Sequence, residues 1–202
     1  FGALVADFPS SNRADARSRM AMIIFGMIAA LLYSRTLDLF WMNPEESYFL
    51  LGGLIPTSDA HDWVSGGWSL LETGAISEFN SRRPLNSVLF AFRLYIAGDL
   101  QGSLQIGATM SAAASLYLAL VLRHSVGWSG AAIFFVCAFW AIREHLPITM
   151  TEVHGFVLGC LAIALLWRAS LTGSTASFLV GLLIMTLAMS ARAGPFLLLP
   201  TL

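Results

Sequence analysis

QGSLQIGATMSAAASLYLALVL, residues Gln101 to Leu122, carries no charged side chain along its whole length. A bilayer core of roughly 30 Å needs about 20 mostly apolar helical residues, and this stretch supplies them without a break. It predicts a transmembrane helix, and the rest of the chain fits around it. Met20–Met42 predicts another, interrupted near one end by Arg35 and Asp38, which are three apart and able to pair while reaching for the interface. Ser125–Ile142, Val153–Trp167 and Ser170–Ala191 follow, each free of Asp, Glu, Lys and Arg. A further apolar run opens at Pro195 and is expected to begin a sixth span of a longer membrane protein. The first nineteen residues are polar, with Arg13, Arg17 and Arg19, and no small-residue cleavage site follows them. They predict a cytoplasmic tail ahead of an uncleaved anchor.

The expected fold class is therefore all-α, a polytopic transmembrane helix bundle. Composition agrees: 57% of residues are hydrophobic and 11% charged, with mean hydropathy +0.73, against about 25% charged in a soluble domain. A net charge of −1 excludes nucleic acid as a partner, which needs a basic surface. Cys137 and Cys160 lie in apolar runs without metal-type spacing and read as small hydrophobes. Gly155 and Gly159, and the stripe Ala108, Ala112 and Ser115, predict close helix contacts.

Pro84 to Gly98 is apolar but short, and it contains Asn86 and Arg93. We read it as an amphipathic helix lying in the headgroup plane with Arg93 reaching outward. With the N-terminus inside, residues 43–100 form an outer loop, and Arg123 and Arg168 fall at cytoplasmic ends, as the positive-inside tendency prefers. Arg82, Arg83, Arg93, Arg143 and Arg192 then lie outside, where an anionic ligand would account for them.

The loop holds the chemistry-bearing residues. Asp59 to Thr73 predicts a second juxtamembrane helix ending at Gly74, with Asp59, Asp62 and Gly66 on one face. Trp63 and Leu70 read as anchors to the membrane surface, and Gly66 and Gly67 as space for something to approach the carboxylates. Asp59 and Asp62 also suit the N-cap and first turn of that helix, and capping does not exclude catalysis. Arg82 and Arg83 offer planar forks for a phosphodiester or for lipid headgroups. Glu152 opens a helix that then runs uncharged, which at that depth is a functional signal. Arg143–Glu144 reads as a surface pair, His154 as an interfacial histidine, and Arg192 as a basic residue on the same side as Asp59 and Glu152.

In that order these motifs resemble the GT-C superfamily of polytopic glycosyltransferases, which includes protein O-mannosyltransferases and aminoarabinose transferases. The loop acid matches Ser58-Asp59-Ala60-His61-Asp62-Trp63, the interfacial helix Arg83-Pro84-Leu85, the helix-opening acid Thr151-Glu152, and the late basic residue Ala191-Arg192-Ala193-Gly194. The resemblance covers residues 20–202. Many relatives carry an arginine where this chain has Gln105. The resemblance implies transfer of a sugar from a polyprenyl-phosphate donor to an acceptor at the outer face of a bacterial inner membrane. It implies Asp59 as general base and Arg192 as the residue that steadies the donor phosphate; with the reading of the residues themselves, Asp59 and Asp62 are the expected catalytic residues, and Arg82, Arg83, Glu152, His154 and Arg192 the expected substrate contacts. It also allows a divalent metal at Asp59 and Glu152. A transporter or flippase for a lipid-linked or anionic solute would use the same arginines without chemistry.

Overall fold

The computed structural model describes residues 12–42, 50–51 and 55–192. Residues 1–11 of the expected tail and the expected sixth span from Pro195 lie outside them. The chain is all-α apart from two paired two-residue strands. Its elements are α1 (Asn12–Met42), β1 (Leu50–Leu51), β2 (Ile55–Pro56), α2 (Ser58–Thr73), α3 (Glu78–Ser81), α4 (Pro84–Ala97), α5 (Leu100–Ile142), α6 (Glu152–Thr172) and α7 (Thr175–Ala191). Helix α1 begins eight residues before the expected start of the first span (12 against 20), so part of the expected tail is helical.

Nominally α5 is one element of 43 residues, but Gly127 breaks it with φ 71° and ψ −178°. That backbone region is essentially closed to residues with a Cβ. A straight helix would hold Ser115 and Phe139 about 36 Å apart, at 1.5 Å per residue. Yet Tyr33 shares a hydrogen bond with Ser115 at 3.0 Å and packs its ring 5.1 Å from that of Phe139. The chain therefore doubles back at Gly127 into two antiparallel arms, 100–126 and 128–142. Across the turn, the Arg123 guanidinium lies 4.5 Å over the Trp128 ring.

The same contacts give each helix a direction. Ser34 accepts from Gln105 Nε2, while Gly26 packs near Leu116, so α1 and the first arm run antiparallel. Trp167 Nε1 donates to Ser125 Oγ at 3.0 Å, bringing the end of α6 to the Gly127 turn. Helix α7 returns along α6 after a turn at Gly173, whose φ is 67°. One end of the bundle thus collects the finish of α1 and α7 and the start of α6. Thr149 Oγ1 donates to Ala60 O at 2.8 Å, which fastens α2 to this polar end.

Among the described residues three helical stretches are long and apolar enough to cross a membrane: Met22–Leu39 within α1, Leu100–His145, which holds the Gly127 turn, and Glu152–Thr172. Helices α4 and α7 are apolar but shorter. Outward-facing side chains match a lipid solvent. Ile23, Met27, Leu31, Ile133, Val136 and Leu183 are each more than half exposed, a surface that would aggregate in water. Tyr33, Leu37, Ala108, Ala112 and Phe135 form the core between α1 and the two arms, so the small-residue stripe at 108, 112 and 115 does admit close packing.

Helix α4 overturns its expected orientation. Asn86, Ser87 and Arg93 are buried, whereas Val88, Phe92, Tyr95 and Ile96 face outward. Arg93, expected to reach into headgroups, is only 3% exposed. The helix is amphipathic, but inverted: in lipid the apolar stripe is the solvated one. Trp63 likewise is buried, edge-on to Phe79 at 5.0 Å, and is not a membrane-surface anchor.

Because the hairpin needs the Gly127 conformation, Gly127→Val should destabilise the protein by about 1–3 kcal/mol. Thermal unfolding in detergent reads this as a lower Tm, while the same change at half-buried Gly159, which has no side chain within 4 Å of where its Cβ would stand, should cost less.

Candidate functional site

Three glycines shape the polar end by leaving slots that side chains fill. A Cβ at Gly66 would collide with the Asn80 amide, one at Gly107 would lie 2.6 Å from Arg93 Nη2, and one at Gly155 would lie 2.9 Å from Arg192 Cβ. The space expected above the α2 carboxylates is therefore occupied: Asn80 fills the Gly66 slot, and Phe90 with Leu94 abuts Gly67.

Asn80 locks the loop. Helix α2 ends at Gly74 in the left-handed conformation, and Ser77 caps α3 by accepting from Asn80 N. The Asn80 amide then donates from Nδ2 to Asp62 O and to Ser77 Oγ, both at 2.8 Å, and its Oδ1 accepts from Ser87 Oγ at 2.8 Å. One side chain thereby ties α2, α3 and α4 together.

Arg93 ties α4 to the bundle. Its Nε and Nη2 donate to Ser103 O at 2.9 and 2.6 Å, and its Nη1 donates to His154 Nε2 at 3.1 Å. The other ring nitrogen of His154 lies 2.6 Å from Asn86 Oδ1. Burial pulls the Arg93 guanidinium down to about 10, so it stays charged at neutral pH. Among the described residues no carboxylate pairs with it. His154, expected to contact substrate, is 1% exposed with both ring nitrogens engaged. It has no atom left for a ligand.

Glu152 and Arg192 do come together, from the first residue of α6 and the residue capping α7. Arg192 Nη1 forms the ion pair with Glu152 Oε1 and also donates to Thr151 Oγ1 at 3.2 Å. The Arg192 side chain is 40% exposed, and that of Glu152 15%. Glu152 Oε2 is buried with no hydrogen-bond partner among the described residues. Position at a helix N-terminus favours the carboxylate, but the second oxygen keeps open acceptor capacity. The arrangement offers a half-exposed fork for an anion beside a carboxylate with a spare oxygen.

The other expected residues stand apart from this pair. Asp59 is exposed in the first turn of α2, behind Thr57 as N-cap and Ser58, whose φ of 53° is unusual for a residue with a Cβ. The Asp62 carboxylate is half exposed, with His61 Nδ1 at 3.6 Å. The Thr149–Ala60 bond sets the start of α2 beside the segment leading into Glu152, but Asp59 makes no ion pair with Arg192 among the described residues. Nor is there a group of three or more His, Cys, Asp and Glu that could hold a metal ion among them. Asp59 and Glu152 are not a preformed donor set. Arg82 stacks 4.6 Å over Phe79, and Arg83 is the half-buried N-cap of α4. Arg143 pairs with Glu144 at 3.3 Å and lies 3.4 Å over Trp140.

The polar network of Asn80, Asn86, Ser87, Arg93, Ser103 and His154 is the part that sequence reasoning missed. A signal existed: Asn86 and Arg93 are seven apart, hence on one helical face. The face they share includes Phe90 and Leu94, which should have marked it as the buried side.

Comparison with known proteins gives no matching family model, no matching curated protein and no matching solved structure. What the fold defines is an all-α protein of membrane character, and the likeness to GT-C enzymes rests on the order of its motifs.

Asn80→Ala should cost about 2–3 kcal/mol, since it leaves buried partners unsatisfied and opens the Gly66 slot. Denaturant or thermal unfolding in detergent measures it; a change under 0.5 kcal/mol would contradict the role assigned to that amide.

Proposed function

We propose that this chain acts in an integral-membrane glycosyltransferase of the GT-C type. In this reading it moves a sugar from a polyprenyl-phosphate donor to an acceptor at the outer face of a bacterial inner membrane, with the N-terminus cytoplasmic. The observation that supports it is the Glu152–Arg192 pair, formed between two helix ends at the polar end of the bundle. Charged groups at such depth are costly and mark ligand sites by default.

The chemistry follows from the groups at this end. The acceptor hydroxyl gives its proton to a carboxylate, Asp59, as its oxygen bonds to the anomeric carbon. The bond from that carbon to the phosphate oxygen breaks, and the polyprenyl phosphate leaves with the electron pair. Arg192 stabilises the charge that develops on that phosphate, most strongly in a water-poor site. Glu152 holds the guanidinium in register through Oε1 and offers Oε2 to a sugar hydroxyl. Asp59 serves as base from the exposed face of α2, with Asp62 one turn further on as a second carboxylate for that role.

Asp59→Asn should lower transfer by about 10²-fold or more, with expression and membrane insertion unchanged. Arg192→Ala should weaken donor binding by about 10- to 100-fold. Both are read in proteoliposomes supplied with radiolabelled polyprenyl-phosphate sugars. Donor binding without transfer, in wild type and Asp59→Asn alike, would identify a carrier of lipid-linked solute instead.

A further inference from the structure

We propose that Arg93 is a positioning residue: through His154 it seats the first turn of α6, where Glu152 meets Arg192. The proposal rests on the reading of that ion pair as the working site.

The geometry leaves His154 one protonation pattern. A guanidinium has donors and no acceptor, so the nitrogen facing Arg93, Nε2, must be bare. The contact of Nδ1 with Asn86 Oδ1, a carbonyl oxygen, then requires the proton on Nδ1. A protonated ring would point an N–H at the guanidinium with no acceptor between them. His154 is thus a neutral Nδ1–H imidazole, held at both edges by α4.

The ring fixes what lies two residues before it. His154 sits in the first turn of α6, whose frame is closed by Gly155 N–H donating to Thr151 O at 3.1 Å. That turn also carries Thr151 and Glu152, both in contact with Arg192. Arg93 simultaneously grips Ser103 O on α5, so the register of α6 is set against α4 and α5 at one point. Packing alone would hold the helix but would not choose the tautomer.

The experiment uses the full chain with 15N-labelled histidine in lipid nanodiscs, the His154 signal being assigned with His154→Gln. Wild type should show His154 protonated at Nδ1 and bare at Nε2. Arg93→Met should move the proton toward Nε2 and raise hydrogen exchange at the Gly155 amide by about tenfold, while Arg93→Lys, which keeps a donor, should retain the wild-type tautomer and exchange. Undecaprenyl phosphate in the same nanodiscs should bind Arg93→Met about tenfold more weakly than wild type, and Arg93→Lys within about threefold. An Nε2–H tautomer in wild type overturns the proposal, even if Arg93→Met fails to fold. Unchanged lipid binding in Arg93→Met, with loss in Arg192→Ala, also overturns it and leaves the site reading standing. If wild type does not bind the lipid at all, the site reading fails; the tautomer and Gly155 exchange then decide the role of Arg93 alone.

Discussion

A buried guanidinium with no carboxylate beside it among the described residues is the constraint from which the polar end is built. Arg93 is taken out of water and held, among the described residues, by neutral partners: the Ser103 carbonyl, the His154 ring nitrogen and the face of the Phe90 ring at 5.2 Å. Burying a charge is tolerable only when its hydrogen bonds are made with good geometry. Three of its N–H contacts are, and Gly107 leaves the slot that lets the fork lie flat against α5. The consequence is positional. Helix α4 cannot slide along the bundle without breaking contacts to α5 and α6 together, and Asn80 carries the same restraint on to α3 and α2.

Side chains at this end sit in spaces that glycine makes. Asn80 lies over Gly66, Arg93 over Gly107 and Arg192 over Gly155. The motif at Gly155 and Gly159, which resembles a helix-packing signature, thus has one half that accommodates an arginine and another with nothing within 4 Å. On α4 the polar Asn86, Ser87 and Arg93 face inward while Val88, Phe92, Tyr95 and Ile96 face outward, because hydrocarbon reverses the rule that water imposes. Inside, each polar group needs a partner from the protein itself.

Much of the helix plan was legible from the chain. The uncharged stretch at 101–122, the stop at Gly74, the proline opening α4 and the Arg35–Asp38 contact, now at 3.8 Å, follow from local chemistry. The Gly127 turn separates the two segments that the sequence predicts on either side of residues 123–124. What was not legible is direction. Amphipathicity tells that α4 has two faces, and only the surroundings decide which one is solvated; taking that solvent as aqueous turned Arg93 outward. Long-range pairing was legible only as a shared side: Glu152 and Arg192 meet, whereas Asp59 and Asp62 face solvent, because α2 is fastened through the carbonyls of Ala60 and Asp62, leaving its acidic side chains free of that fastening.

The functional reading therefore depends on a spatial requirement, that the acid-bearing loop, the head of α6 and the tail of α7 share one side of the bilayer. Labelling with a membrane-impermeant maleimide in sealed, oriented vesicles measures it, using Ser77→Cys, Glu144→Cys and Ser174→Cys on a background with both native cysteines replaced by serine. Ser77→Cys and Glu144→Cys should react from the same side and Ser174→Cys from the opposite one. Reaction of Ser77→Cys and Glu144→Cys from opposite sides would contradict the shared site and the enzyme built on it.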